Sequence, residues 1–343
     1  MNIIEKQDIK DFVHTFELSD PLDSTTFLIT GATGLIGSTL IHCLIALNKQ
    51  VNIIAPVRDI VKAQKLYEEK EHESIRFIEC DLLTFDYSQL ANIDYIIHCA
   101  APTSSKFFVE RPVDTVEIII EGTKVLLDYA ARNRIKGFVY LSSLEIYGTI
   151  LDDTQAVTED VQGYLDPMSV RSSYPMAKRA AETLCCLYVK QYGVPVKVAR
   201  LTQTTGAGLM KDDNRIIAQF ARWAANGQDI VLHTTGEAAR PYCYTTDAIS
   251  AILYILLRGE AGEAYNVANE DSYISAREMA EFLRDNFNST IKVKIELNNN
   301  KGYAPVTKLR LSSQKLGNLG WYPRMGLKDI LEKIISAINE GQS

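Results

Sequence analysis

The stretch that most limits what this chain can become is FLITGATGLIGSTL, residues 27–40, in which Gly31, Gly34 and Gly37 recur at every third position. An apolar, strand-like run precedes the glycines and an apolar, helix-compatible run succeeds them. Glycines in that place permit a tight strand-to-helix turn. They also let the backbone, with Leu35 and Ile36 beside it, approach a pyrophosphate at the positive end of the helix. A plain strand–helix connector can use the same residues, but the flanking strand and helix favour a dinucleotide.

Beyond this turn the chain repeats the same alternation. VNIIAPV, IRFIECD, DYIIHCA, GFVYLSS and VPVKVARL read as short buried strands. IVKAQKLYEEKEH, PVDTVEIIIEGTKVLLDYAARNR and MAKRAAETLCCLYVKQYG read as helices between them. Strands and helices in this rhythm predict an α/β fold with a Rossmann-type, doubly wound parallel sheet. Past Leu201 the rhythm loosens, which suits a smaller C-terminal substrate-binding part. The expected division is an amphipathic arm over 1–24 and a cofactor-binding domain over 25–200 with a returning segment near 244–270. The substrate-binding part then takes 201–243 and 271–343.

Charge and composition remove other classes. With 36 basic against 43 acidic residues the net charge is −7, and no Lys/Arg block interrupts it, so neither a nucleic acid nor a membrane surface is an expected partner. No apolar run approaches spanning length, and the N-terminal residues lack the basic flank and apolar core of a signal peptide. Six cysteines without paired spacing imply reduced, packed thiols in a cytoplasmic protein, and five scattered histidines give no metal site.

Two positions bear on which dinucleotide binds. The second strand ends in APVRD, where Arg58 favours the extra phosphate of NADP while the adjacent Asp59 leaves NAD possible. Arg58 also reads as the start of a solvated loop. Asp81, with Leu82 after it, ends the third strand; it can accept from an adenine amino group or simply close the strand. Further on, Tyr174 and Lys178 lie four apart and so share a helical face, with Pro175 tolerated in the first turn. A phenol is a poor base near neutrality, but a nearby ammonium and a positive nicotinamide ring would stabilise its phenolate. Ser143, at the end of GFVYLSS, is placed to orient a substrate oxygen.

TGATGLIG, CDL at 80–82, HCAA at 98–101, SSLEIYG at 142–148, the Tyr174/Lys178 pair, RPYCYTTDA at 240–248 and LGNLGWYP at 316–323 occur in one order. Together they resemble the extended short-chain dehydrogenases/reductases of the NAD-dependent epimerase/dehydratase family, which modify sugars carried on nucleotides. The resemblance spans about residues 25–335. It implies that Gly31, Gly34 and Gly37 cradle the pyrophosphate, that Asp81 and Leu82 flank the adenine, and that Ala100 and Ala101 line the cofactor cleft. Ser143, Tyr174 and Lys178 would be catalytic. Arg240 would contact the substrate's diphosphate, although it also reads as a surface cation.

The chain departs from the family in two places. QTTGAG stands where relatives carry N-x-Y-G-P, with Gln203 on the substrate side, Thr205 for Tyr and Ala207 for Pro. NNKGYAPVTKLR, at 299–310, replaces an Arg-x-Gly-Asp stretch.

Glu145 is the most telling residue of SSLEIYG. The family's shared first step oxidises a sugar carbon, commonly C4, and the ketone acidifies the C5 hydrogen, so a nearby carboxylate can serve as base. Sugar dehydratases and nucleotide-uronate decarboxylases have a Glu at this place, whereas 4-epimerases more often have a small or neutral residue. Leu144 weakens the likeness to dehydratases, many of which have an acid there. If the strand persists past Ser143, alternation puts Glu145 on the same face; otherwise it can face solvent or pair with an Arg. The expected function is therefore sugar-nucleotide 4,6-dehydration or uronate decarboxylation with tightly held NAD(P). 4-Epimerisation and NADPH-dependent reduction of a keto sugar are the alternatives, and a non-catalytic NAD(P)-binding regulator would not need the Ser143, Tyr174 and Lys178 group. Apolar excess on the helices near 113–133 and 175–192 matches those that build the family's homodimer interface.

Overall fold

The computed structural model describes residues 1–210, 212–297 and 306–341. Helix α1 (Ile3–Thr15) precedes β1 (Thr26–Thr30), α2 (Leu35–Ala46), β2 (Asn52–Val57), α3 (Ile60–Leu66) and β3 (Ile75–Glu79). Next come β4 (Tyr95–His98), α4 (Ser105–Glu110), α5 (Pro112–Arg132), β5 (Gly137–Ser143), α6 (Ser173–Tyr192) and β6 (Val196–Leu201). After them lie β7 (Gln203–Thr205), α7 (Ile216–Ala225), β8 (Ile230–Leu232), β9 (Ala239–Tyr244), α8 (Thr245–Arg258) and β10 (Ala264–Val267). The chain finishes with β11 (Asn269–Ser275), α9 (Ala276–Asn286), β12 (Val293–Ile295), α10 (Gln314–Gly317) and α11 (Leu327–Glu340).

Seven strands form one sheet in the order β10-β6-β5-β4-β1-β2-β3, every neighbouring pair parallel. The doubly wound fold expected from the alternation is thus present. Its strands can be near-continuous apolar runs because helices cover both faces, as in buried Phe138, Val139, Tyr140 and Leu141 of β5. Strand order reverses between β1 and β4, and a crevice at the carboxyl ends of such strands is where this architecture binds ligands. Smaller sheets, β11-β9-β7 and β12-β8, pack with α7, α9 and α11 around a separate apolar core that includes Phe220, Tyr242, Met279 and Ile330.

One helix is shorter than the pattern IVKAQKLYEEKEH predicts. Tyr67 leaves α3 in an extended conformation (φ −114°, ψ 145°), buries its ring beside Phe77 and donates its hydroxyl to the Ala32 carbonyl at 2.6 Å. Anchoring the glycine turn there outweighs two more helical turns.

The N-terminal arm is a docked helix. Asn2 and Glu5 close a capping box at its start, and the Asn2 amide also donates to the Ala207 carbonyl at 3.0 Å. Farther along, Asp8 receives Lys333 of α11 at 2.6 Å and the hydroxyl of Tyr244 at the end of β9. Burial raises the Asp8 carboxyl above its ordinary value against both partners. Arg324 donates to the Thr15 carbonyl, so both ends of the helix are tied down. Among the described residues no helix is long and apolar enough to cross a membrane.

Candidate active site

The turn after β1 is built around contacts that leave no room for side chains. Gly31 has φ +74°, and a Cβ there would lie 2.9 Å from the Ala100 nitrogen; one on Gly37 would lie 2.2 Å from the Gly31 carbonyl oxygen. Gly34, in contrast, would place a Cβ 3.4 Å from the Gly31 carbonyl oxygen, an ordinary contact that leaves room there. It is also the N-cap of α2 and offers no side-chain cap, which leaves the first-turn N–H groups of Leu35, Ile36 and Gly37 for an external acceptor. Such a bare, positive helix end between splayed strands fits a dinucleotide pyrophosphate.

Neighbouring groups complete the cleft. Thr30 Oγ1 lies 2.7 Å from His98 Nδ1 and accepts from the Ala100 amide at 3.2 Å, which holds the half-buried Ala100 and Ala101 beside the glycine turn. Burial, then the charge of Lys178, hold His98 down at about 3, so it is neutral. Asp81 is exposed and its carboxylate accepts from Leu83 N at 2.8 Å, while Leu82 packs beside Gly122. Arg58 is exposed and makes no hydrogen bond or ion pair among the described residues. Asp59 is instead committed, accepting from Lys62 N at 2.8 Å as the N-cap of α3. No group of three His, Cys, Asp or Glu among the described residues could hold a metal ion.

At the carboxyl end of β5 the expected catalytic side chains meet. Tyr174 and Lys178 sit on the buried face of α6, with Tyr174 only 8% exposed. Burial and then the Glu145 carboxylate push the phenol well above its usual value; the neighbouring Ser143 hydroxyl and then the Arg171 charge act against that rise. Lys178 Nζ lies 5.8 Å from the Tyr174 ring and 4.7 Å from that of Tyr140, and donates to the Leu141 carbonyl at 2.7 Å. Burial brings the amine down to about 8. In this arrangement Lys178 is anchored to the strand, and Ser143 and Arg171 are the groups that ease the phenol's ionisation.

Glu145 reaches the site by another route than strand alternation. The strand ends at Ser143, and residues Leu144–Tyr147 form a 3-10 turn. The Ser143 hydroxyl caps it, accepting from Glu145 N at 3.2 Å, and Gly148 (φ +69°) then lets the chain turn away. Glu145 is nonetheless close enough to raise Tyr174, and both its oxygens meet Nη2 of Arg171, at 3.0 and 2.9 Å.

On the substrate side, Gln203 of β7 pairs with Tyr242 of β9, and the half-buried Arg240 lies two residues earlier on β9. The Arg240 side chain has no hydrogen bond or ion pair among the described residues, so its guanidinium is available to a phosphate. The divergent QTTGAG loop is packed against the arm: a Cβ on Gly208 would lie 2.5 Å from Glu5 Oε1. Of NNKGYAPVTKLR, residues 299–305 lie outside the described residues.

Two side chains at this site escape a reading by motif. Phe108 of α4 stacks on Tyr174 with centroids 4.2 Å apart and planes within 11°, a contact across 66 positions that leaves no local trace. Arg171 sits over Phe108 at 5.3 Å and precedes Tyr174 by three residues, a helical spacing that could have drawn attention to it.

A model of the NAD dependent epimerase/dehydratase family matches residues 27–268. UDP-glucuronic acid decarboxylase 3 of Arabidopsis thaliana is 28% identical over 302 residues, covering 88% of this chain and 85% of its own length. UDP-glucuronic acid decarboxylase 1 of Xenopus tropicalis is 27% identical, covering 91% and 72%. Among solved structures, the dTDP-glucose 4,6-dehydratase of Streptomyces venezuelae with NAD bound superposes with a TM-score of 0.77 at 23% identity, over 93% of this chain and 98% of its own. The UDP-glucose 4-epimerase of Thermotoga maritima gives 0.79 at 21%, over 93% and 100%.

Proposed function

The chain belongs to the NAD-dependent epimerase/dehydratase family, as an enzyme of the extended short-chain dehydrogenase/reductase type, and from that premise we propose that it converts a nucleotide-linked sugar through a transient 4-keto intermediate. The observation that carries this reading is the meeting of Ser143, Tyr174 and Lys178 at the end of β5, beside the glycine turn. The dinucleotide, when bound, supplies a reversible hydride acceptor and a positive ring. Tyr174 takes the C4 hydroxyl proton, Ser143 orients the oxygen, and Lys178 holds positive charge near the Tyr174 ring. Arg240 and Gln203 receive the nucleotide end.

Decarboxylation of a nucleotide uronate stands first. Loss of carbon dioxide from a carboxylate beta to a ketone needs no carbon base, and Glu145 is already engaged by Arg171 through both oxygens. 4,6-Dehydration stands second, with Glu145 released to act on the C5 hydrogen. Purified protein incubated with a panel of nucleotide sugars should yield, by mass spectrometry and NMR, a product lighter by one carbon dioxide. Loss of water moves dehydration ahead, unchanged mass favours epimerisation, and stoichiometric consumption of NADPH points to a reductase.

NADP is the preferred dinucleotide in this proposal, since Arg58 is unpartnered among the described residues and Asp59 is spent on a helix cap. Arg58→Ala should weaken NADP binding by about tenfold and leave NAD unchanged; equal losses for both would reject the preference. Residues 201–243 and 271–343 hold the substrate against the cofactor domain. Val113 of α5 and Met176, Leu187 and Tyr192 of α6 are exposed, as a homodimer through these helices requires; a monomeric mass in solution would exclude it. A cytoplasmic setting accords with six cysteines that form no disulfide, and recovery in a secreted fraction would contradict it.

A further inference from the structure

One charged group at the site touches neither the transferred proton nor the hydride in the proposed reaction, although its charge eases the ionisation of Tyr174. Arg171 lies in the short 3-10 turn Val170–Ser172 that leads into α6, one turn before the tyrosine, and its side chain is about a third exposed, at 31%. The position of its guanidinium is constrained from two sides. Its Cζ lies over the Phe108 ring, 5.3 Å from the centroid, and that ring stacks on Tyr174. Ser173 fixes the backbone of the same phenylalanine by donating its hydroxyl to the Phe108 carbonyl at 3.1 Å.

The way Arg171 holds Glu145 is unusual for such a pair. A guanidinium and a carboxylate commonly meet through two parallel N–H groups. Here one nitrogen, Nη2, serves both carboxylate oxygens, while Nε and Nη1 donate to nothing among the described residues. A second planar anion can therefore be received on the vacant side of the fork without displacing Glu145. The charge balance asks for such a cation. A uronate brings a carboxylate to a pocket that already holds Glu145 and must tolerate a tyrosinate, and like charges so close oppose one another strongly. A neutral hexose brings no such charge.

We propose that Arg171 is the specificity-determining residue for a sugar carboxylate: its free N–H groups hold the C6 carboxylate of a nucleotide uronate while Nη2 keeps Glu145. The inference rests on the nucleotide-sugar reading and adds the group that recognises the acidic sugar. In the sugar ring C6 is attached at C5, next to the C4 carbon whose hydroxyl meets Tyr174. A cation one turn from Tyr174 is therefore at a suitable remove. No bond is made or broken by Arg171.

Binding of UDP-glucuronic acid, UDP-glucose and UDP to the cofactor-loaded protein, measured by calorimetry, tests this. Arg171→Gln should weaken UDP-glucuronic acid by about tenfold to a hundredfold, the range for a hydrogen bond to a charged group, and leave UDP-glucose and UDP within about twofold. Arg171→Lys, which keeps the charge but loses the fork, should fall between. Glu145→Gln should not weaken UDP-glucuronic acid, because it removes the competing anion. Cofactor content and thermal melting report whether each variant is folded, and the lysine variant carries the test if the glutamine one is not. Unchanged UDP-glucuronic acid binding in both Arg171 variants overturns the assignment even if decarboxylation persists. A wild-type protein that binds and converts UDP-glucose but ignores UDP-glucuronic acid also overturns it, while leaving the keto-sugar reading intact. Failure to bind any nucleotide sugar would instead defeat that underlying reading.

Discussion

Replacing Tyr174 with Phe should lower turnover by about a thousandfold, within the range that general acid–base groups contribute, with cofactor content unchanged. The phenyl ring keeps the stack on Phe108 and its place on the buried face of α6, so the packing around it survives. Only the hydroxyl is lost, the group proposed to take the C4 proton, beside Ser143. Steady-state kinetics beside a cofactor-binding titration separates the two effects. A loss of cofactor in step with activity would mean that Tyr174 is needed for binding rather than for proton transfer.

Gly37→Ala should abolish stable cofactor binding and lower the melting temperature. A Cβ at that position would lie 2.2 Å from the Gly31 carbonyl oxygen, and both atoms are held by backbone. Gly31 cannot retreat, because its own φ of +74° and its approach to the Ala100 nitrogen fix it against the end of β4. The turn must open, and overpacking of this kind costs about 1–3 kcal/mol. Gly34→Ala is the informative contrast. Its Cβ would meet only the Gly31 carbonyl oxygen, at 3.4 Å, so the fold should hold, while a methyl group at the N-cap of α2 should weaken the dinucleotide if the pyrophosphate sits there as proposed. Spectroscopic titration with the dinucleotide and a melting curve read both variants. Full cofactor affinity in Gly37→Ala would contradict this turn geometry.

Much of the architecture was legible because parallel sheets write themselves into sequence as apolar runs separated by helices, and because the glycines at 31 and 37 stand where no other residue fits. Tyr174 and Lys178 were visible for a similar local reason, their spacing on one helix. What stayed hidden depends on distance along the chain. Phe108 meets Tyr174 across 66 positions, and the arm meets Lys333 and Tyr244 across more than two hundred. The course of SSLEIYG was hidden too. Strand alternation would place Glu145 beside Ser143, but the Ser143 hydroxyl caps a 3-10 turn instead. Glu145 comes near Tyr174 through that turn, and its pairing with Arg171 could not be read from either residue alone.

The divergent loop meets the arm at Ala207 and Gly208. Where relatives carry N-x-Y-G-P, this chain packs Gly206, Ala207 and Gly208 against Thr245, Asn2 and Glu5, so the segment next to the cofactor turn is held from outside by α1. The arm takes up the space beside Gly208, whereas Gly206 is confined by Thr245 at the start of α8.

A hydride borrowed from sugar C4 and given back to the same carbon is the central step of the proposed reaction. The most direct test uses a nucleotide uronate carrying deuterium at C4, incubated with the cofactor-loaded protein and followed by NMR and mass spectrometry. The expected product is a nucleotide pentose lighter by one carbon dioxide that retains deuterium at C4, with no net change in the oxidation state of the cofactor. Deuterium lost to the medium, or accumulated in released cofactor, would contradict it.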